Sequence, residues 1–250
     1  MTGAFTDNLA GHRAKYEHLA RTLPADEVGP TYVGGGDPVL AGYKELEVLR
    51  AHAMLPGAAI IDVGCGIGRL TQHLVPEPIG SYLGLDIIPE VLNEAVAKAA
   101  GDRRFRFAVP AECLIPADDA SAEIVVGFSL ITHLMDEEAF EYIREASRVL
   151  TPSGVAIFSF LDFNLPTHTA MFLAHARQHR LGHGDILKFT SKDVLRIVGH
   201  DVGFTDVAFV DGTDERFYSG ARSSLLDVVT LPARYEFGQS LAIFRKPGVA

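Results

Sequence analysis

Polar residues dominate positions 7–22, with larger apolar side chains spaced at Leu9, Tyr16 and Leu19, a pattern that predicts a weakly amphipathic helix. Pro24 to Gly36 then reads as a loop, ending in Tyr32-Val-Gly-Gly-Gly36. Asp37 before Pro38 predicts a capped helix that runs to about Met54. From Ile60 short apolar runs alternate with helical periodicity. This predicts strands at 60–63, 81–86, 105–109 and 123–129, and helices at 68–75, 89–100 and 136–150. Asp136, Glu137 and Glu138 open the last of these helices, where negative charge suits the positive end of the dipole. It stops at Thr151-Pro-Ser-Gly154, and the unbroken apolar run Val155 to Leu161 reads as a strand buried on both faces. Helices are expected at 166–181 and from Ser191 to Val198, the second capped by Thr190 or Ser191. Closing strands are expected from Gly203 to Val210 and from Gln239 to Arg245, with 211–238 a partly helical insertion between them.

The alternation implies an α/β sheet, and its first turn carries the chemistry. Residues 60 to 70 read Ile-Ile-Asp-Val-Gly-Cys-Gly-Ile-Gly-Arg-Leu, with glycines at 64, 66 and 68. Glycine permits the positive φ and the close backbone approach that a ligand-binding turn requires. The dinucleotide fingerprint Gly-x-Gly-x-x-Gly fails, because Arg69 stands where its third glycine belongs. Asp62, at the end of the strand, would repel a pyrophosphate and favours a cationic ligand. S-adenosylmethionine carries a sulfonium, an ammonium and no phosphate. Asp86 ends the next strand, Ser81-Tyr-Leu-Gly-Leu-Asp86, about 20 residues past the turn, where doubly wound sheets bind ribose hydroxyls through a carboxylate.

The motif Asp-Val-Gly-Cys-Gly-Ile-Gly, followed by Leu-Gly-Leu-Asp, resembles that of the class I S-adenosylmethionine-dependent methyltransferases, over roughly residues 38 to 160. The resemblance implies a doubly wound, seven-stranded, mostly parallel sheet with an antiparallel edge strand. The chain would form a single domain, with residues 1–36 as an N-terminal helix and lid loop and 37–250 as the methyltransferase domain. Donor contacts would fall on Asp62, Gly64, Cys65, Gly66, Gly68, Asp86, Ile87 and Ser129, with Tyr32 and Gly35 in a closing loop and Tyr43 facing the same space. Adenine recognition is expected at Pro110-Ala-Glu-Cys-Leu114. The family usually places an acid where this chain has Pro110, so Glu112 or a backbone amide near Cys113 would serve instead.

Methyl transfer to a hydroxyl needs alignment and a base. Alignment supplies roughly 7–11 kcal/mol and a base about 10²–10⁴-fold. His133, after the strand ending at Ser129, is the candidate base; Thr132, Asp162 and Asn164 are candidate acceptor-binding groups. His168, His175, His179 and His183 form a series at near-helical spacing, read as a polar face near the acceptor rather than as a metal site. The expected acceptor is a small molecule such as a sugar, a polyol or a secondary metabolite. Transfer to nitrogen or carbon, or binding of the donor without catalysis, remains open from the residues alone.

Charge and cysteine content narrow the partners. A net charge of −10 and the absence of a basic run argue against nucleic acid and anionic membrane surfaces. Cys65 and Cys113 are the two cysteines, one inside the glycine turn, which implies free thiols in a reducing compartment. The start Met-Thr-Gly-Ala-Phe-Thr-Asp lacks a basic and apolar leader, so a cytoplasmic location is expected.

Overall fold

A computed structural model describes residues 3–34, 36–180, 187–214 and 236–248. Among these, seven strands form one sheet in the order β3-β2-β1-β4-β5-β7-β6. They are β1 (Ala59–Val63), β2 (Ser81–Leu85), β3 (Phe105–Ala108), β4 (Ala122–Gly127), β5 (Leu150–Phe160), β6 (Asp206–Val210) and β7 (Ser240–Arg245). The helices are α1 (Gly3–Thr22), α2 (Ala25–Tyr32), α3 (Pro38–His52), α4 (Arg69–Leu74), α5 (Pro89–Lys98), α6 (Asp136–Val149), α7 (Pro166–Arg180) and α8 (Lys192–Asp201). Strands β1 to β5 pair in parallel. The reversed strand is β7, which pairs antiparallel with β5 on one side and with the edge strand β6 on the other.

Alternation along each strand sends successive side chains to opposite faces of the sheet. Ile60, Ile124, Val126, Ile157 and Ile243 pack with Leu46 and Leu49 of α3 and Leu70 and Leu74 of α4. Their neighbours Ile61, Val125, Ala156, Phe158 and Phe244 pack with Tyr142, Ile143 and Ala146 of α6 and Leu195 of α8. The core is therefore two apolar layers separated by the sheet, the arrangement that a parallel sheet with long apolar strands demands.

Local signals place most helix starts. Asp37 accepts from the Val39 and Leu40 amides, and the Ser191 hydroxyl accepts from Val194 N, so both predicted caps form. Residues 25–32 depart from expectation, because they form a helix where a loop was expected. Gly29 and Pro30 read as breakers, but Asp26 and Glu27 occupy its first turn, and Gly29 faces α5 closely. A Cβ at Gly29 would lie 2.1 Å from the Glu94 carboxylate. Strand β5 also begins earlier than expected, at Leu150, which pairs with Ala122 before the register shifts. The proposed insertion at 211–238 lies largely outside the described residues, as do Gly35 and His183. Among the described residues no helix is long and apolar enough to cross a membrane.

Helices α3 and α4 meet through a bare backbone. A Cβ on Gly42 would lie 2.0 Å from the Arg69 carbonyl oxygen, whereas one on Gly11 of α1 would meet nothing within 4 Å. Gly42→Ala is expected to lower the urea-unfolding stability by about 1–3 kcal/mol through overpacking. Gly11→Ala is expected to raise it by up to about 1 kcal/mol through helix propensity. Equal midpoints for the two variants would contradict this packing.

Candidate active site

The turn from β1 into α4 is built on positive φ: 76° at Gly64, 55° at Gly66 and 75° at Gly68. The amides of Gly64 and Cys65 both donate to the Leu85 carbonyl, at 2.7 and 2.9 Å, which ties the turn to the end of β2. Gly68 presses against α5; a Cβ there would lie 2.8 Å from Ala95 Cα. At Gly66 a Cβ would lie 3.0 Å from Val33 Cγ1, so the turn passes close beneath the segment after α2. The Cys65 side chain packs with Leu92 and Ala95, and burial pushes its thiol well up, so it is an inert filler rather than a nucleophile.

A cleft opens above this turn, bounded by Gly64, Cys65 and Gly66, by Asp86 and Ile87, by Phe128 and Ser129, by His133, and by His12 and Tyr32 from the first two helices. Asp86 is 8% exposed. Its two oxygens accept separately, Oδ1 from Ile88 N and Oδ2 from Gly66 N, each at 3.0 Å. Burial nevertheless pushes this carboxyl up to about 6, against the pull of those amides. Asp62 sits deeper. It is 3% exposed, is not among the cleft-lining residues, and accepts from Tyr82 Oη at 2.7 Å. Burial raises it to about 7; the Tyr82 bond and Arg69 oppose the rise, while Glu45 and Asp86 add to it. A buried carboxyl on the cleft wall at Asp86 suits a ligand that brings positive charge and no phosphate. Two separate oxygens at the end of β2 suit a pair of adjacent hydroxyls. The residues present thus fit S-adenosylmethionine.

Ser129 follows β4 at φ 60° and lines the cleft. Thr132 is 1% exposed and turns inward, its hydroxyl donating to the Ser129 carbonyl at 2.8 Å, so it shapes the 3-10 turn at 131–133 instead of facing the cleft. That turn delivers His133 to the cleft wall, where its ring meets the edge of His12 with centroids 6.0 Å apart. His12 Nδ1 lies 3.1 Å from Tyr32 Oη. Arg13 holds α1 on α5 through two bonds to Glu90, at 2.6 and 2.8 Å.

Other predicted positions fall elsewhere. Glu112 is exposed at φ 58° and, with Cys113, lies off the cleft wall, which Pro110 lines instead. Asp162 is 1% exposed; its Oδ1 accepts from the Asn164 amide and its Oδ2 lies 3.7 Å from Lys192 Nζ, so both residues organise the turn into α7. His168 is also buried. Its Nδ1 accepts from Asp162 N, which assigns the ring proton to Nε2 and lets it donate to Gly238 O at 2.8 Å. Among the described residues no group of three His, Cys, Asp or Glu is placed to hold a metal ion. Tyr43 is fully buried against His73. Sequence reasoning passed over His12, Lys15 and Arg69, all of which line the cleft. His12 had a usable signal: with Leu9 and Tyr16 it follows the three-and-four spacing of one helix face.

The raised carboxyl at Asp62 has a direct consequence for stability. A group protonated more readily when folded stabilises at low pH, and that contribution is lost as pH rises through its folded value. Without ligand, the wild type is expected to lose on the order of 2–3 kcal/mol relative to Asp62→Asn between pH 5 and pH 8. Urea titrations of both proteins at the two pH values check this, and parallel curves would contradict it.

Residues 60–154 match a family of methyltransferase domains. The chain is 27% identical over 139 residues to the 2-methyl-6-phytyl-1,4-hydroquinone methyltransferase of Synechocystis, a match covering 52% of this chain and 42% of that relative, under half its length. It is 24% identical over 210 residues to the ubiquinone biosynthesis O-methyltransferase of Methylococcus capsulatus, covering 82% of this chain and 84% of that one. In fold it resembles the Haemonchus contortus phosphoethanolamine N-methyltransferase 1 solved with phosphoethanolamine and S-adenosylhomocysteine. The TM-score is 0.63 at 14% identity, over 97% of this chain and 49% of that one. Residues 60–154 therefore carry a methyltransferase-domain match, set in a seven-stranded sheet that runs on to Arg245, and these findings support a class I S-adenosylmethionine-dependent methyltransferase.

Proposed function

We propose that the protein transfers a methyl group from S-adenosylmethionine to a hydroxyl of a small molecule, with His133 as general base. The observation that carries this is His133 itself, an imidazole on the wall of the cleft that also holds Asp86 and the glycine turn. The bound donor supplies a methyl group already activated by its positive sulfur. What remains for the protein is to hold the two reactants in line and to take up the proton of the attacking hydroxyl. Histidine is the side chain suited to accept that proton near neutral pH.

In this reading Asp86 would receive the ribose hydroxyls, Gly64 to Gly68 would run beneath the methionine portion, and adenine would lie against Ile87 and Pro110 rather than Glu112. Residues 1–36 act as a lid, because His12, Tyr32 and Val33 line the cleft from that side and Arg13 fastens it to Glu90. The O-methylating relative from Methylococcus supports oxygen as acceptor, whereas the structural likeness to a phosphoethanolamine N-methyltransferase makes amines the comparison to run.

The test is release of S-adenosylhomocysteine against matched hydroxyl and amine acceptors. Turnover on hydroxyl compounds is expected, with His133→Ala lowering kcat by about 10²–10⁴-fold while S-adenosylhomocysteine affinity holds. Turnover confined to amines would move the assignment to nitrogen. Unchanged kcat in His133→Ala would remove the base.

A further inference from the structure

Three polar side chains close a ring behind the cleft, and its bond directions follow from the fully buried Ser159, whose proton needs an acceptor. Ser129 N donates to Ser159 Oγ at 2.6 Å, so that oxygen is the acceptor. The Ser159 proton then goes to Gln239 Oε1, also at 2.6 Å. With its oxygen so engaged, Gln239 turns its amide nitrogen to Ser129 Oγ, at 3.1 Å. Ser129 Oγ is thereby an acceptor within the ring, and its own proton is used by none of the three bonds. That proton belongs to a residue that lines the cleft.

The ring also explains the backbone there. Ser129 sits at φ 60°, a conformation that costs an L-residue and persists where its surroundings enforce it. Enforcement comes from the fully buried Ser159 and from the half-buried Gln239 bonded to both serines. Beside Gln239, Phe237 stacks on Phe128 with ring centroids 5.6 Å apart, and Gly238 gives its carbonyl to His168.

Position indicates which part of the donor meets this hydroxyl. Asp86 takes the ribose at the end of β2, and Ile87 and Pro110 lie on the β2–β3 side. The chain after β4 packs on the other flank of the glycine turn, where Leu130 Cδ1 would lie 3.2 Å from a Cβ on Gly64. With the ribose at Asp86 and adenine on the β2–β3 side, the methionine end of the donor would extend towards that flank. Its ammonium can only donate and its carboxylate can only accept, so a hydroxyl proton aimed into the cleft matches the carboxylate.

We propose that Gln239 is a positioning residue for the donor: through Ser129 and Ser159 it turns the Ser129 hydroxyl proton into the cleft, to a carboxylate oxygen of the methionine portion. The proposal rests on S-adenosylmethionine as ligand and not on the acceptor or on His133.

Gln239→Glu separates this role from simple packing. A carboxylate at 239 accepts from both serines, so it draws the Ser129 proton away from the cleft while leaving shape and the Ser159 bond in place. Binding of S-adenosylhomocysteine and of 5′-methylthioadenosine, which lacks the amino-acid end, is measured by calorimetry for wild type, Ser129→Ala, Gln239→Glu and the double variant. Each single variant is expected to weaken S-adenosylhomocysteine about five- to tenfold. Affinity for 5′-methylthioadenosine is expected to hold, and the double variant is expected to bind no worse than either single one. Equal weakening of both ligands, multiplied losses in the double variant, or wild-type affinity in Gln239→Glu would overturn the assignment. If Gln239→Glu lacks a cooperative urea transition, Gln239→Met, close in length and without either hydrogen bond, takes its place in the cycle. A wild-type chain that failed to bind S-adenosylhomocysteine would overturn the donor reading as well. Failure to methylate any hydroxyl compound would sink the acceptor reading alone.

Discussion

The convergence of two amides on the Leu85 carbonyl sets the geometry of everything above the sheet. By holding Gly64 and Cys65 against the last residue of β2, it puts Gly66 N within 3.0 Å of Asp86 Oδ2. A turn from one strand and a carboxylate from the next thus become one surface. Positive φ at three alternate glycines lets the chain make this approach and still enter α4 against α5. A side chain would press on Leu130 at Gly64, on Val33 at Gly66 and on Ala95 at Gly68. The cleft is therefore a property of how β1 and β2 are joined, and α1 and α2 are added to it.

Charge in this region follows burial more than count. The chain carries a net charge of −10, yet Lys15 and Arg69 stand on the cleft wall, while burial drives the carboxyls of Asp62 and Asp86 towards neutrality. Arg69 is held by Glu45, 4% exposed, at 2.7 Å, so its charge is already partly compensated. A cation entering beside Asp86 recovers what desolvation removed, which gives the cleft a preference for positive ligands.

What was legible in the sequence was local. The order of strands and helices from Ile60 to Leu161, the caps at Asp37 and Ser191, and the glycine turn with Asp86 all come from short-range periodicity and backbone demands. The α2 helix was missed because Gly29 and Pro30 break local propensity, whereas its packing against Glu94 is a long-range contact. His12 was passed over for the same reason, since nothing near it in sequence announces His133. Asp62 was read as facing a ligand because it ends a strand; period two and the Tyr82 hydroxyl turn it into the core. Glu112 was chosen by analogy in spacing, and the exposed turn at φ 58° carries it off the cleft.

The reversal of β7 has a consequence for how such a chain can diversify. Because β6 runs with the parallel set and β7 against it, Val210 and Ser240 lie at the same end of the sheet, the end where β4 and β5 finish. Gln239 and Phe237 lie at that end too, the first bonded to Ser129 and the second packed on Phe128. Change in the β6–β7 connection is therefore constrained where it enters β7, because it reaches the turn after β4 that lines the cleft.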